Sequence, residues 1–328
     1  MQTDLFKDKR VLITGGLGFI GSNLARALVP CGAEIVLVDS LIPEYGGNLF
    51  NIAGIEREVH VNIADVRDPH GMAHLVQGQN FIFNLAGQTS HLDSMENPGN
   101  DLAINCTAQL SILEACRHHN PGVKIVFAST RQLYGRPRYL PVDEKHPLDP
   151  VDVNGIHKLA AEFYHTLYNN VYGLRACVLR LTNTIGPRMR VRDARQTFVG
   201  VWLRRILEGD PIEVWGGGQL RDFTFVDDCV EAMLLAAADE RANGQVFNLG
   251  GDCTISLRDL AAMLAELNGA GEYVVREFPE DRKRIDIGDY YSDFTRIRES
   301  LGWTPRTPLR EALARTLSFY RENLSQYL

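Results

Sequence analysis

A doubly wound α/β fold, a parallel sheet covered by helices on both faces, is what this sequence predicts, and three observations carry the expectation. The first is a glycine-rich strand-to-helix turn. Val11-Leu-Ile-Thr14 has the pattern of a short buried strand, glycines follow at Gly15, Gly18 and Gly21, and Ser22 to Val29 places apolar residues at helical spacing. The second is an acid, Asp39, closing the apolar run Glu34-Ile-Val-Leu-Val-Asp39. The third is a steady alternation of strand and helix patterns as far as Leu181. Val/Ile-rich strands in repeated βα units make a parallel sheet buried on both sides.

The turn has a physical purpose. A helix N-terminus carries unpaired N–H groups and a partial positive charge, and glycine lets the backbone approach a pyrophosphate closely. Asp39 follows the glycines by about 20 residues, the spacing at which a carboxylate accepts hydrogen bonds from an adenosine ribose. It would repel a 2′-phosphate, and Ser40-Leu41-Ile42 supplies no cation to hold one, which points to NAD rather than NADP.

The remaining elements follow in order. Glu58-Val-His-Val-Asn62 predicts a strand, and Ala64-Asp65-Val66 follows it. Asp65 there either bonds an adenine amino group or caps a helix before Pro69. Asn80 to Ala86 is the next buried strand, and Pro98 to Cys116 a long helix carrying Asn105. Lys124 to Thr130 is a strand, Gly155 to Tyr172 a helix, and Leu174 to Leu181 a strand. Ligands of such sheets bind beyond the carboxyl ends of the strands, where Gly15, Asp39, Asp65, Ala86, Thr130 and Asn183 all fall. Beyond Asn183 come a basic loop (Gly186 to Arg195), a helix from Phe198 to Leu207, a strand Ile212–Trp215 and a Gly-rich stretch through Asp228. Gln245 to Gly250 predicts a strand returning to the main sheet, and amphipathic helices lie around Leu257–Leu267 and Leu309–Asn323. The expected division is a Rossmann domain binding NAD over residues 1–182, rejoined by segments near 220–250, and a smaller α/β substrate lobe over 183–328.

Composition narrows the class. The chain has 328 residues, 45% hydrophobic and 23% charged, enough for two cores. A net charge of −7 without a basic block argues against nucleic acid. No apolar run reaches the roughly 18–20 residues needed to cross a bilayer, and the first ten residues lack an apolar signal core. The six cysteines are scattered, with no C-x-x-C pair and no clustered histidine, so neither metal nor disulfide is indicated and a cytoplasmic location is expected.

Several ordered motifs then stand together: Thr14-Gly-Gly-Leu-Gly-Phe-Ile-Gly21, Asp65-Val66, Asn84-Leu-Ala-Gly-Gln88, Phe127-Ala-Ser-Thr130 with Leu133-Tyr-Gly135, and Lys158-Leu-Ala-Ala-Glu162. They continue through Arg180-Leu-Thr-Asn183, Gly186-Pro-Arg188, Arg221 to Asp228 and Leu301-Gly-Trp-Thr-Pro305. Over nearly its whole length the chain resembles the extended short-chain dehydrogenase/reductase enzymes acting on nucleotide sugars: epimerases, dehydratases and decarboxylases. The stretch Ala86-Gly-Gln-Thr-Ser90 with Ser94 and Asn97-Pro98 is similar to that of sugar 2- and 4-epimerases.

The resemblance implies roles. Gly15, Gly18, Phe19, Ile20 and Gly21 match the pyrophosphate loop, Asp39 with Ser40 the ribose site, and Asp65 with Val66 the adenine contact. Leu85, Ala86 and Gly87 match the strand end along the cofactor. Lys158 matches the lysine that bonds the nicotinamide ribose and lowers the pKa of its catalytic partner, and Thr130 the group that bonds the hydroxyl being oxidised. Asn183 matches a substrate-binding asparagine, and Arg221 an arginine clamping the diphosphate, a task for a planar cation. Gln88, Gln196 and Trp215 are expected to line the substrate pocket, and Arg131 either pairs with a charged group on the sugar or is solvated. Arg284, or its neighbours Arg282 and Lys283, falls where a further phosphate-binding arginine is common. A homodimer formed through two helices of the first domain is also implied.

One departure matters. The family carries a tyrosine four residues before the lysine, on the same helix face; here Asn154 holds that position. An amide does not remove a hydroxyl proton. A positioned base is worth about 10²–10⁴ in rate, or roughly 3–5 kcal/mol of barrier. Three readings stay open: Asn154 positions a water or hydroxyl while His157, Tyr134 or a carboxylate on the sugar takes the proton; the chemistry needs no tyrosine; or the protein binds without turnover. Family dehydratases and decarboxylases carry acids just after the threonine, whereas this chain has Arg131 and Gln132. The expectation is therefore an NAD-dependent nucleotide-sugar epimerase, acting at C4, with a dehydratase, decarboxylase, dehydrogenase or non-catalytic binder as alternatives.

Overall fold

The computed structural model describes residues 3–279 and 286–328, so Arg282, Lys283 and Arg284 lie outside the described residues. The predicted strands form. β1 (Arg10–Thr14), β2 (Glu34–Asp39), β3 (Val59–Ile63), β4 (Phe81–Asn84), β5 (Lys124–Thr130) and β6 (Arg175–Leu181) lie in one parallel sheet. Later in the chain come β7 (Asn183–Ile185), β8 (Ile212–Trp215), β9 (Leu220–Phe225) and β10 (Val246–Asn248). β10 returns to pair in parallel with β6, Val246 opposite Val178, which completes a seven-stranded order of β10-β6-β5-β4-β1-β2-β3.

Burial explains why the strand sequences are continuous apolar runs rather than alternating ones. Val11, Leu12 and Ile13 of β1 are all 0% exposed, and each such side chain contributes about 1.5–3 kcal/mol of transfer free energy. On one face, Val11 and Ile13 pack with Leu24 and Leu28 of α1 (Phe19–Leu28) and Met233 of α8 (Val226–Ala238). On the other, Leu12, Ile82 and Ile125 meet Met72 of α2 (Pro69–Leu75), Ile112 of α5 (Ala108–His119) and Tyr168 of α6 (Val153–Tyr172). The sheet is doubly wound, as the sequence predicts.

A second core gathers α7 (Phe198–Glu208), β8, α9 (Leu257–Asn268) and the helix Leu309–Asn323 around Trp202, Val214, Leu260 and Leu313. β9 pairs with β7 and with β11 (Thr254–Ser256), and β8 pairs with β12 (Tyr273–Arg276). Within the 220–250 stretch, α8 and β10 join the main sheet while β9 stays with the second. Phe19, at the glycine turn, packs into this second core, so the turn sits on the seam between the two.

Two local details differ from the sequence pattern. α1 begins at Phe19, three residues before the apolar periodicity suggests, because Gly21 lets the first turn lie directly on the Gly15 backbone. The helix expected from Pro98 to Cys116 is broken into α4 (Pro98–Leu102), a π-turn over Ala103–Thr107, and α5. The Gln109 side chain donates to Ile104 O at 3.0 Å and so satisfies a carbonyl within the π-turn.

Candidate active site

One cleft runs along the carboxyl edge of the sheet, and the six strand-end residues named from sequence, Gly15, Asp39, Asp65, Ala86, Thr130 and Asn183, all line it. At its centre Gly15 has φ +67°, a conformation glycine adopts at little cost. A Cβ on Gly21 would stand 2.3 Å from Gly15 O, so no side chain fits there. No side chain caps α1. The first-turn N–H groups beside Gly18, Phe19, Ile20 and Gly21 therefore face the cleft with their partial positive charge uncompensated, as a pyrophosphate requires.

Asp39 closes β2 with Oδ2 accepting from Leu17 N at 3.1 Å and Oδ1 from Leu41 N at 2.9 Å. Burial raises its pKa against the pull of these backbone bonds. Each oxygen keeps a lone pair for a ribose hydroxyl, and Ser40 lines the cleft beside it. Asp65 is not the cap before Pro69. Asp68 fills that role, accepting from His70 N at 3.0 Å, and Asp65 instead holds Arg67 at 2.6 Å while lining the cleft with Val66. The hydroxyl of Thr14 draws in the N–H groups of Leu85 and Ala86 at 3.0 and 3.1 Å and fixes the end of β4. The uncapped turn, the excluded Cβ and the lone pairs Asp39 has to spare together fit NAD.

At the reacting end, Thr130 is the last residue of β5 and its Oγ1 accepts from Gln132 N at 3.2 Å. Lys158 is 6% exposed. Its ammonium donates to Ala128 O at 3.2 Å and lies 4.9 Å from the Phe127 ring centre. Burial pushes its pKa down to about 8, against the opposing pull of the Asp101 carboxylate. Gly87 packs over it; a Cβ there would stand 3.0 Å from Lys158 Nζ.

Asn154 lines the cleft one helical turn before Lys158. Its Nδ2 donates to Gln88 O at 2.8 Å and to Asp101 Oδ2 at 3.1 Å. Both amide hydrogens are thus committed, and Oδ1 is left as an acceptor. Asp101, fully buried, also accepts from Asn105 at 3.0 Å and pairs with His157 Nδ1 at 2.7 Å. His157 therefore serves Asp101 and does not line the cleft, which removes it as the proton acceptor. Tyr134 is removed as well. Its hydroxyl donates to Asn248 Oδ1 at 2.7 Å, accepts from Arg180 at 2.6 Å, and burial raises its pKa.

The expected substrate residues divide. Gln88, Arg131, Asn183 and Gln196 line the cleft. Arg131 donates to Asn183 Oδ1 at 3.0 Å and stacks 5.0 Å from the Tyr290 ring centre. Gln88 Oε1, Arg131 Nη1 and Gln132 Oε1 are buried without a hydrogen-bond partner among the described residues, so three polar atoms on cleft residues await a polar ligand. Trp215 does not line the cleft: it ends β8, with its ring against Phe278. Arg221 does not line it either; its guanidinium bonds the Leu220 and Gly288 carbonyls and reaches Asp286 at 3.5 Å. Sequence reasoning missed His91, the first residue of α3 (His91–Glu96), which lines the cleft. Its place just after β4, on the ligand-binding edge, was the available signal.

The sequence matches the NAD dependent epimerase/dehydratase family over residues 11–250. This chain belongs to that family. UDP-glucose 4-epimerase of Mycolicibacterium smegmatis is 32% identical, over 97% of this chain and 100% of its own. A dTDP-glucose 4,6-dehydratase of Streptomyces niveus is 30% identical, over 96% of this chain and 93% of its own. Among solved structures, the UDP-glucose 4-epimerase of Thermotoga maritima, determined with UDP-glucose, superimposes with a TM-score of 0.88 at 30% identity, covering 96% of this chain and 99% of that one. Membership accounts for the fold, the glycine turn and the NAD cleft together.

Proposed function

We propose that this chain is an NAD-dependent epimerase of a nucleotide-diphosphate sugar, acting at C4 through a transient keto sugar. The observation that carries this reading is the identity of the two residues after Thr130 in the cleft: a cation, Arg131, and an amide, Gln132. Eliminating water requires an acid and a base at adjacent carbons, and neither of these two side chains is a carboxylic acid. Epimerisation requires only that a carbinol be oxidised, turned and reduced again.

When bound, NAD accepts and returns the electron pair of the carbinol C–H bond. Gly15, Gly18, Phe19, Ile20 and Gly21 hold its pyrophosphate, Asp39 and Ser40 a ribose, Asp65 and Val66 the adenine. Leu85, Ala86, Gly87 and the Lys158 ammonium, which line the cleft toward its reacting end, would hold the nicotinamide half. Thr130 and the free Oδ1 of Asn154 grip the reacting hydroxyl, and Gln88, Arg131, Asn183 and Gln196 surround the sugar and its nucleotide. The test is incubation of the purified protein with UDP-, dTDP-, GDP-, ADP- and CDP-sugars, following C2 and C4 configuration by NMR. A C4 epimer of one of them is expected. No isomer from any, with NAD bound, would overturn the reading and leave a binder without turnover, the role that Asn154 in place of a tyrosine favours.

The active form we propose is a homodimer. Ile156, Phe163, Leu167 and Val171 are 47–64% exposed along one side of α6, with Leu102 of α4 at 44%, an apolar face that a second copy would cover. We place the protein in the cytoplasm, a reading supported by cysteines of which Cys116, Cys177 and Cys229 are fully buried thiols. No helix among the described residues is long and apolar enough to cross a membrane.

A further inference from the structure

Asn154 leaves the reacting hydroxyl without a proton acceptor on α6, and the cleft offers one from a different element. His91, Thr130, Gln132, Asn154 and Lys158 line the same cleft. Among the described residues, the other acids and bases along it are Asp39, Asp65 and Tyr45 at the adenosine end. His91 Nδ1 lies 2.9 Å from Asp152 Oδ2, and the Asp152 side chain is 1% exposed. The second carboxylate oxygen accepts from Gly155 N at 2.7 Å as the N-cap of α6. Gln132 Nε2 donates to Oδ2 as well, at 3.3 Å, and stands 3.3 Å from His91 Nδ1, so the shorter 2.9 Å contact between Nδ1 and the carboxylate sets the ring's hydrogen. Burial works against charge on Asp152, but the His91 ring and then the Gly155 and Gln132 donors outweigh it and hold the carboxyl below its ordinary range.

An ionised carboxylate on Nδ1 keeps the hydrogen there and leaves the lone pair on Nε2. That is the tautomer in which an imidazole accepts a proton, with a carboxylate behind it to orient the ring and stabilise the imidazolium. The His91 side chain is 38% exposed, open to a ligand in the cleft.

We propose that His91 is the catalytic acid–base group of this enzyme, in place of the family's tyrosine, with Asp152 as its positioning residue. The proposal rests on the epimerase reading above. In the oxidation the hydroxyl O–H bond breaks and its proton forms an N–H bond at His91 Nε2. The neighbouring C–H bond breaks, its hydrogen leaving with the electron pair as a hydride that bound NAD would accept, and the C–O bond becomes C=O. In the reduction the electron pair and its hydrogen return to the opposite face of that carbon, and His91 gives the proton back to oxygen, which restores both cofactor and imidazole. The Thr130 hydroxyl, whose oxygen accepts from Gln132 N, donates to the reacting oxygen in both the hydroxyl and the keto state, while Asn154 Oδ1 accepts from the hydroxyl only before its proton turns to His91. The charged groups on the described elements around His91 include Asp93 and Glu96 on its own helix, Asp101 on α4, Asp152 capping α6 with Lys158 and Glu162 along it, Arg131 on the turn after β5, and Arg195, which pairs with Asp93 at 2.7 Å.

The test uses holoprotein and the nucleotide sugar that the isomer screen identifies. His91→Gln should lower kcat by about 10²–10⁴-fold, with calorimetric affinity for that sugar and bound NAD content unchanged. The acid limb of the wild-type kcat–pH profile should disappear in His91→Gln. Added imidazole should restore part of the activity of His91→Ala. Asp152→Asn keeps the helix cap, since asparagine caps as well as aspartate, so its fold should survive while kcat falls and the acid limb moves to lower pH. Near wild-type kcat in His91→Gln with the limb in place would overturn the proposal. Parallel loss of ligand affinity and thermal stability in both His91 variants would overturn it too, by making His91 structural. A wild type that isomerises nothing overturns the epimerase reading itself, and an active wild type with an active His91→Gln overturns this proposal alone.

Discussion

An ammonium sealed beneath Gly87, with Ala128 O as its hydrogen-bond acceptor and the Phe127 ring beside it, is costly to bury when no cofactor meets it. The folded chain holds Lys158 at about 8 through desolvation, with Asp101 pulling the other way; an unfolded lysine titrates near 10.4. Between those values the unfolded chain binds the proton and the folded chain does not, so this group makes stability rise with pH across that window. Below pH 8 its penalty is present in full. Lys158→Met should therefore stabilise the cofactor-stripped protein at pH 7 by on the order of 2 kcal/mol, after allowing for the lost Ala128 bond. The advantage should fade as pH approaches 10.5, and activity should be lost at every pH. Urea titrations of both proteins at pH 7 and pH 10 check this. A variant less stable than wild type at pH 7 would show that the buried ammonium contributes more through its contacts than its desolvation costs.

The helix start at α1 is the element on which cofactor binding depends, and its requirement is steric. Gly21 sits in its first turn with Gly15 O where a Cβ would have to go, at 2.3 Å, and with Gly16 Cα at 2.9 Å. Both obstacles are backbone, so no side-chain rotation relieves them. Gly21→Ala should push the first turn of α1 off the Gly15 loop, misdirect its uncapped N–H groups, and yield protein lacking the absorbance of bound NAD. An alanine variant that retains full NAD occupancy would refute that account. This element was legible from sequence because its causes are local: a strand run, three glycines and helical spacing. The strands Lys124–Thr130 and Ile212–Trp215 and the helix Leu309–Asn323 were legible to the residue for the same reason. The π-turn at Ala103–Thr107 was not, since the apolar spacing runs on through it and only the Gln109 side chain, bonding Ile104 O, marks it. His91 stayed hidden because the carboxylate that orients it lies on a distant helix start, and the pair exists only after β4 and α6 are brought together. Trp215 and Arg221 stand outside the cleft because of how β8 and β9 pack: the Trp215 ring meets Phe278, and Arg221 is taken up by the Gly288 carbonyl and Asp286.

At the scale of the whole molecule, α6 has two opposed duties. Its inner side carries Asn154 and Lys158 to the cleft and buries Ala161, His165 and Tyr168. Its outer side presents Ile156, Phe163, Leu167 and Val171, residues spaced so that they share one stripe. A lone soluble helix with that face uncovered would expose a contiguous apolar patch, which monomeric proteins seldom do. A two-fold interface brings the same stripe of each copy against the other, self-complementary without further change. Phe163→Glu combined with Leu167→Glu places like charges across the two-fold axis. By sedimentation the wild type should run as a dimer and the double variant as a monomer. The monomer should still bind NAD, with a lowered melting temperature because α6 loses the cover on its outer face. A wild type that sediments as a monomer at micromolar concentration would leave the stripe without the partner argued for it. A double variant that remains dimeric would place the interface elsewhere on the surface.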